Sequence, residues 1–322
     1  MGGGAVTSLR ARFSAQAAPY GVNPHHPRCG GRLPNQGRRI PLEDSIVRTR
    51  RLLAATCLAL GALASLGAGA PARAQGLPDL IVRTDILERQ WVVRDEKLDA
   101  SFCSVIEGGI TPGLRRLVRF TVMTANVGDA DINIGDPRVH VAANDGLYEF
   151  ATCHQHFHFR NYAKYELIDP RTGKVWKAAK RGFCMLDTDP NPAYLGEAPK
   201  NPQFRACGTI TVAGNQGISH GWTDTYRFFL AGQFFVLDGG DNQPVVPPGD
   251  YIIRITANPP YKATKDNPCR FLDPATGFCH ALQESNYANN VGEALITIPD
   301  HPGKGVGPLA DSPVSNTEDP EH

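Results

Sequence analysis

The segment Cys153-His154-Gln155-His156-Phe157-His158 sets three histidines at alternate positions, out of ten in the whole chain. In an extended strand, residues i, i+2 and i+4 share one face. His154 and His158 would then stand ~13 Å apart along the backbone. Three imidazoles can converge on one ion only if a local bend helps them. Imidazole is a ligand for copper, zinc, iron and nickel. The competing reading is a polar strand face turned to water, and the crowding of histidines weighs against it. The run lacks the Asp-His pair that follows His-x-His in many zinc hydrolases. Three nitrogens alone do not separate copper from zinc, although at equal supply the affinity order favours Cu²⁺.

The elements that must hold these residues read as mainly β. No long stretch carries a 3.6-residue apolar period. Short β-rich runs recur instead, at 117–124, 162–168, 226–230, 234–237, 251–256 and 293–298. Alternation is clean in the last two, so that Tyr251, Ile253 and Ile255 face one way. Turn residues such as Pro247-Pro248-Gly249-Asp250 bound the runs. The pattern predicts an antiparallel, sandwich-like or barrel-like β-domain with little helix over residues 75–300. Long irregular segments at 185–221 and 257–283 interrupt it, and loops of that length are usually functional or cross-linked. The stretch 301–322, rich in Pro, Gly and acid, is expected to be a disordered tail.

Six cysteines lie beyond the leader: Cys103, Cys153, Cys184, Cys207, Cys269 and Cys279. An even count in an exported, loop-rich protein predicts three disulfides. Cys269 and Cys279 form the easiest local pair, and spacing leaves the other pairings open. The leader itself has two parts. Arg48, Arg50 and Arg51 precede a small apolar run, 52–70, that ends in Pro71-Ala72-Arg73-Ala74. A basic start, a short apolar core and an Ala-x-Ala site make 47–74 a secretory signal peptide rather than a membrane span. No Met lies between Met1 and Met123, and Val47 is a candidate non-standard start. Residues 1–46 are therefore read as an untranslated or disordered leader. Cleavage after Ala74 leaves a mature chain with no membrane span, secreted to the extracellular space or periplasm. Its net charge of about −7 by residue counting gives no support for nucleic-acid binding and suits cationic substrates.

With these motifs in view, the chain resembles the lysyl oxidase catalytic domain. Residues 148–158 (Tyr-Glu-Phe-Ala-Thr-Cys-His-Gln-His-Phe-His) look like that family's copper motif, with all three ligand positions intact. Tyr165-Glu166-Leu167-Ile168-Asp169 continues the likeness. Lys180-Arg181-Gly182-Phe183-Cys184 resembles the segment that supplies the cofactor lysine. Asp224-Thr225-Tyr226 resembles the segment that supplies the cofactor tyrosine, and Gln233 keeps its spacing from it. Residues 247–251 and 284–290 resemble the closing β-region, so the likeness runs from Pro78 to about Ile298. Departures are also visible. The family usually has tryptophan near Tyr148 and Phe150 and a further histidine at Ala151. The Lys180–Tyr226 stretch is longer than in animal members. Trp222 and Gly232 stand where cysteines are usual, and their partners are missing too.

The resemblance implies copper- and quinone-dependent oxidative deamination of primary amines, either peptidyl lysine of a protein substrate or small amines. Molecular oxygen is consumed, and aldehyde, ammonia and peroxide are released. A protein needs a carbonyl cofactor for such chemistry. Here it would be lysine tyrosylquinone, built from Lys180 and Tyr226. Addition of the lysine to the oxidised ring needs a neutral amine, so a desolvating, metal-adjacent setting is expected for Lys180. Taken alone, Lys180 reads as a surface lysine and Tyr226 as a core tyrosine. Before cross-linking the two can stand well apart. Asp224 is a candidate base. The resemblance also implies calcium at Asp79, the Leu80 carbonyl, Glu284, Asn286, Asn289 and Asn290, hard oxygens of the kind that ion prefers. Asn286 replaces an aspartate, and an Asn-rich turn is the competing reading. Finally, it implies Cys103–Cys153 and Cys184–Cys207 as retained bridges, with Cys269–Cys279 a local addition. The rival to the enzyme is a secreted, non-catalytic copper- or zinc-binding β-domain, which would need the histidines but neither Lys180 nor Tyr226.

Overall fold

The structure, a computed structural model, describes residues 76–314 apart from 181, 266, 302 and 304. The leader readings for 1–46 and 47–74 lie outside the described residues. Antiparallel strands dominate. One sheet runs in the order Val291–Ile298, Gly249–Ala257, Ala163–Ile168, Val175–Lys177. A second runs Leu80–Val82, Val122–Asn126, Trp222–Tyr226, Asp189–Pro190. A third joins Phe234–Val236, Gly113–Phe120 and Trp91–Leu98. Helices are short, the longest being Pro137–Ala143. No helix among the described residues is long and apolar enough to cross a membrane.

The period-2 patterning works as read in the first sheet. Tyr251, Ile253, Ile255 and Ala257 point inward from one strand, and Ala294, Ile296 and Ile298 from its neighbour. They share one apolar core with Leu80, Val82, Val118, Phe120 and Phe235 of the other sheets. Burying each large side chain contributes about 1.5–3 kcal/mol. Phe120 stacks on Phe235 with centroids 4.9 Å apart and meets Tyr165 edge-on at 5.5 Å, which ties the third sheet to the first.

Polar residues cause the departures from expectation. The run at 117–124 is two strands, broken at Thr121, whose N–H bonds the Gln90 carbonyl and whose hydroxyl accepts from Phe228 N. The run at 226–230 is not a strand; Tyr226 instead ends the strand Trp222–Tyr226, all five residues of which are buried. A strand covered on both faces has no apolar–polar alternation to read. Trp91–Leu98 hides for another reason. Arg94 and Glu96 face inward, and the Glu96 carboxylate accepts from both Arg94 Nε and Arg119 Nε. Arg119 in turn donates to the carbonyls of Phe228 and Leu230, anchoring the loop that follows Tyr226.

The two long irregular segments are cross-linked. The disulfides are Cys103–Cys153, Cys184–Cys207 and Cys269–Cys279, as expected. Inside 185–221 the buried Asp187 carboxylate accepts from Gln203 N, Phe204 N, Ser219 N and Ser219 Oγ. One side chain thereby organises a stretch that has almost no ladder of its own. The expected disorder of 301–322 does not extend to the part described. Val306 pairs with Val93 in both directions, and Ser312 O accepts from Arg94 Nη1 at 2.9 Å.

Candidate metal and amine site

The three histidines sit on a hairpin of Tyr148–Ala151 and His156–Phe159. Only His156 and His158 lie on its strand. His154 is in the turn, and Gln155 takes the left-handed region with φ 59°, which supplies the bend the alternating spacing needed. In place of a ~13 Å strand spacing, the ring centroids form a near-equilateral triangle. They are 5.6 Å (His154–His156), 5.2 Å (His154–His158) and 5.0 Å (His156–His158) apart. Imidazoles bound tetrahedrally at about 2.0 Å through Nε2 would have centroids roughly 5 Å apart. Among the described residues, no group of three or more His, Cys, Asp or Glu is arranged as a ready metal cage. The rings are thus gathered, with donor nitrogens still to be aligned.

The chemistry of the donors fits a borderline divalent metal such as copper or zinc. His156 Nε2 is buried without a hydrogen-bond partner. Burial pushes the His156 imidazole down to about 4, helped by the charges of His154 and Lys180. It is neutral at pH 7, the form that binds metal. His158 is packed against Gly182, where any Cβ would clash with the imidazole ring, so only glycine lets that backbone approach. Glu107, on which the sequence carried no signal, faces His154 Nδ1 through Oε2 at 2.7 Å.

Lys180 is buried, and its Nζ lies 4.7 Å from the Tyr226 ring centroid and 5.5 Å from that of Phe183. The two residues that could have stood apart are adjacent. Gly232, at φ 68°, lets its chain run against the Lys180 backbone. The Tyr226 hydroxyl accepts from Cys184 N at 2.7 Å and donates to Cys184 O at 2.9 Å. Phe183 meets Tyr226 edge-on at 5.3 Å and also touches Tyr162 and Tyr165. Asp224 is wholly buried, and its charge helps hold the Tyr162 hydroxyl well above the ordinary tyrosine range, burial being the larger cause. A cavity of about 340 Å³ is lined by His154, His158, Lys180, Glu107, Glu149 and Phe150, among others.

The proposed calcium residues divide. Leu80 N donates to Glu284 Oε2 at 2.6 Å, Asn290 Nδ2 to Glu284 Oε1 at 2.9 Å, and Asn289 Nδ2 to Asp79 Oδ1 at 3.0 Å. Asp79, Leu80, Glu284, Asn289 and Asn290 are therefore together. Asn286 is exposed and turns its side-chain oxygen to Ala288 N instead. Asn258, not singled out from the sequence, donates to Glu284 at 2.6 Å. Burial pushes the Glu284 carboxyl up to about 7, against the lowering effect of these donors. The side-chain oxygens of Asn289 and Asn290 are buried without partners. Such a set of oxygens suits a hard cation.

Comparison with known proteins shows the family of the chain. The lysyl oxidase family model matches residues 85–268. Lysyl oxidase homolog 2 of Gallus gallus is 28% identical over 224 residues, covering 66% of this chain and 24% of that protein. The Homo sapiens homolog 2 is 27% identical over 235 residues, 70% of this chain and 25% of that one. Lysyl oxidase homolog 4 of Mus musculus is 29% identical over 193 residues, 56% and 22% of the two chains. The chain thus spans about a quarter of the length of these curated relatives. The histidine hairpin, Lys180 and Tyr226 all fall inside the matched span, which takes in more than half of the sequence, and the chain belongs to the lysyl oxidase family.

Proposed function

We propose that this protein is a secreted, copper- and quinone-dependent amine oxidase. It would deaminate primary amines, whether peptidyl lysine or small amines, to aldehydes with release of ammonia and hydrogen peroxide. The observation that carries the reading is the Lys180 amine 4.7 Å from the Tyr226 ring, beside three clustered imidazoles. A metal carrier has no use for that pair. Three disulfides support a location outside the reducing cytosol.

His154, His156 and His158 would hold the copper. Bound there with molecular oxygen, copper would supply the oxidation needed to build lysine tyrosylquinone from Tyr226 and Lys180, which would offer a carbonyl group to a substrate amine. The rest is the work of this chain's own groups. The Cys184 backbone holds the Tyr226 oxygen, so the ring cannot swing. Phe183 closes one side and keeps water from it. Asp224 lies two residues before Tyr226 on the same strand face. It is our candidate to take the α-proton, since a carboxylate near the reacting carbon can do general-base work. Glu107 and Glu149 bring negative charge to the cavity, which favours a cationic amine.

Copper-loaded protein should release peroxide in proportion to added primary amine, read by a peroxidase-coupled assay. Copper uptake with no peroxide from benzylamine, a diamine or a lysine-rich peptide would support the carrier instead.

We also propose that calcium binds between Asp79, the Leu80 carbonyl, Glu284, Asn289 and Asn290, with Asn286 contributing only if its turn rearranges. The site ties the first strand to the turn before the last, so binding stabilises the fold by mass action. At a calcium level a hundredfold above Kd this is about 2.7 kcal/mol, or a rise in Tm of roughly 5–10 °C for a domain of this size. Glu284→Ala should cancel the rise. Identical melting with calcium and with chelator counts against the site.

A further inference from the structure

We infer that Glu107 is a positioning residue for the metal site, fixing the ring orientation and tautomer of His154. The inference rests on the reading that the three histidines hold copper. His156 and His158 have their backbones set by the hairpin ladder. His154 does not, because it lies in the turn. Something else must fix it, and the Glu107 carboxylate spans the gap. Its Oε1 accepts from Cys153 N, and its Oε2 meets His154 Nδ1 at 2.7 Å. An ionised carboxylate can only accept. With the imidazole proton held on Nδ1 for this carboxylate, the lone pair falls on Nε2, the nitrogen that would bind the metal. Metal-bound histidines commonly donate their second N–H to a carboxylate in this way.

Glu107 is itself delivered by a covalent strut. It follows the short helix Cys103–Ile106, and its N–H bonds back to the Cys103 carbonyl at 2.8 Å. Cys103 is disulfide-bonded to Cys153, the residue just before His154. Helix, disulfide and carboxylate close a small ring around the one ligand that the ladder leaves unset. Both side chains are largely shielded, His154 at 7% and Glu107 at 18% exposure, so the contact is not diluted by water.

The test uses full-length protein stripped of metal. Cu²⁺ affinity is read by competition with a chromophoric chelator, with Zn²⁺ as a redox-silent control. Glu107→Ala should weaken both metals about 10–100-fold and change the Cu²⁺ EPR spectrum. Glu107→Gln should recover part of the loss, because its amide oxygen still accepts from Nδ1. Metal-free protein gives an independent reading, since ¹⁵N shifts of the His154 ring should report the Nδ1–H tautomer in the parent and a mixture in Glu107→Ala. Unchanged affinity and unchanged ring shifts overturn the inference. Should Glu107→Ala fail to fold, Glu107→Gln carries the same affinity and NMR readings. A parent protein that takes up no copper sinks the oxidase reading, while the ring shifts still decide the role of Glu107.

Discussion

Replacing His156 with alanine is expected to strip copper from the protein and reduce amine-dependent peroxide to background. Its Nε2 is buried and makes no hydrogen bond, and the ring's other contacts are with His154 and His158 of the same cluster. The backbone around it is held independently: Ala151 pairs with position 156, and Phe157 N donates to Gly208 O at 3.1 Å. The variant should keep its disulfides and circular dichroism. Residues that merely orient a metal ligand cost about 10–100-fold in affinity. Loss of one of three direct nitrogens should cost more than that. His154→Ala and His158→Ala should do the same, with His158→Ala also leaving a hole against Gly182. Metal content after dialysis, read by mass spectrometry, checks this. Full copper occupancy in the triple alanine variant would sink the assignment.

What could be read in advance followed short-range rules. The strand Gly249–Ala257 alternates because one of its faces is buried, and that regularity survives in sequence. The histidine cluster was legible as residue types, but its geometry was not. A strict strand would have kept His154 far from His158, and the bend at Gln155 is a backbone choice that no apolar pattern marks. Contacts across long separations that the resemblance did not imply were invisible. Glu107 lies 47 residues from His154, and the Cys103–Cys153 bridge joins their segments. Buried polar strands went unread for a similar reason. Arg94 and Glu96 break the apolar pattern of a strand whose burial depends on Arg119 alongside, and the Asp224 strand, buried throughout, has no alternation to read. Asn258 joined the Glu284 cluster through a positive φ of 42° at the end of a strand, a position that asparagine tolerates better than most residues.

Lys180 and Tyr226 are expected to become covalently joined in copper-loaded protein matured in air. The 46 residues between them are no obstacle. Loop closure grows only as the logarithm of length, about 0.6 kcal/mol per doubling. Cys184–Cys207 and the Asp187 hydrogen bonds take up much of that stretch. The amine already lies 4.7 Å from the ring centre, and the Cys184 backbone holds the phenol oxygen. Reaching a ring carbon then asks for a side-chain adjustment rather than a rearrangement of the fold. Phenylhydrazine should label the matured protein and give a visible adduct, since it condenses with the same carbonyl that a substrate amine would meet. Lys180→Ala and Tyr226→Phe should each abolish the adduct and the amine-dependent peroxide while retaining copper, because neither residue is among the three imidazoles. That separation matters: loss of copper in either variant would mean that the metal site had been damaged and the adduct lost indirectly. Peptide mapping of the parent protein should recover one cross-linked species in place of two linear peptides. If the matured protein oxidises amines while both residues are recovered unmodified, the quinone assignment is wrong.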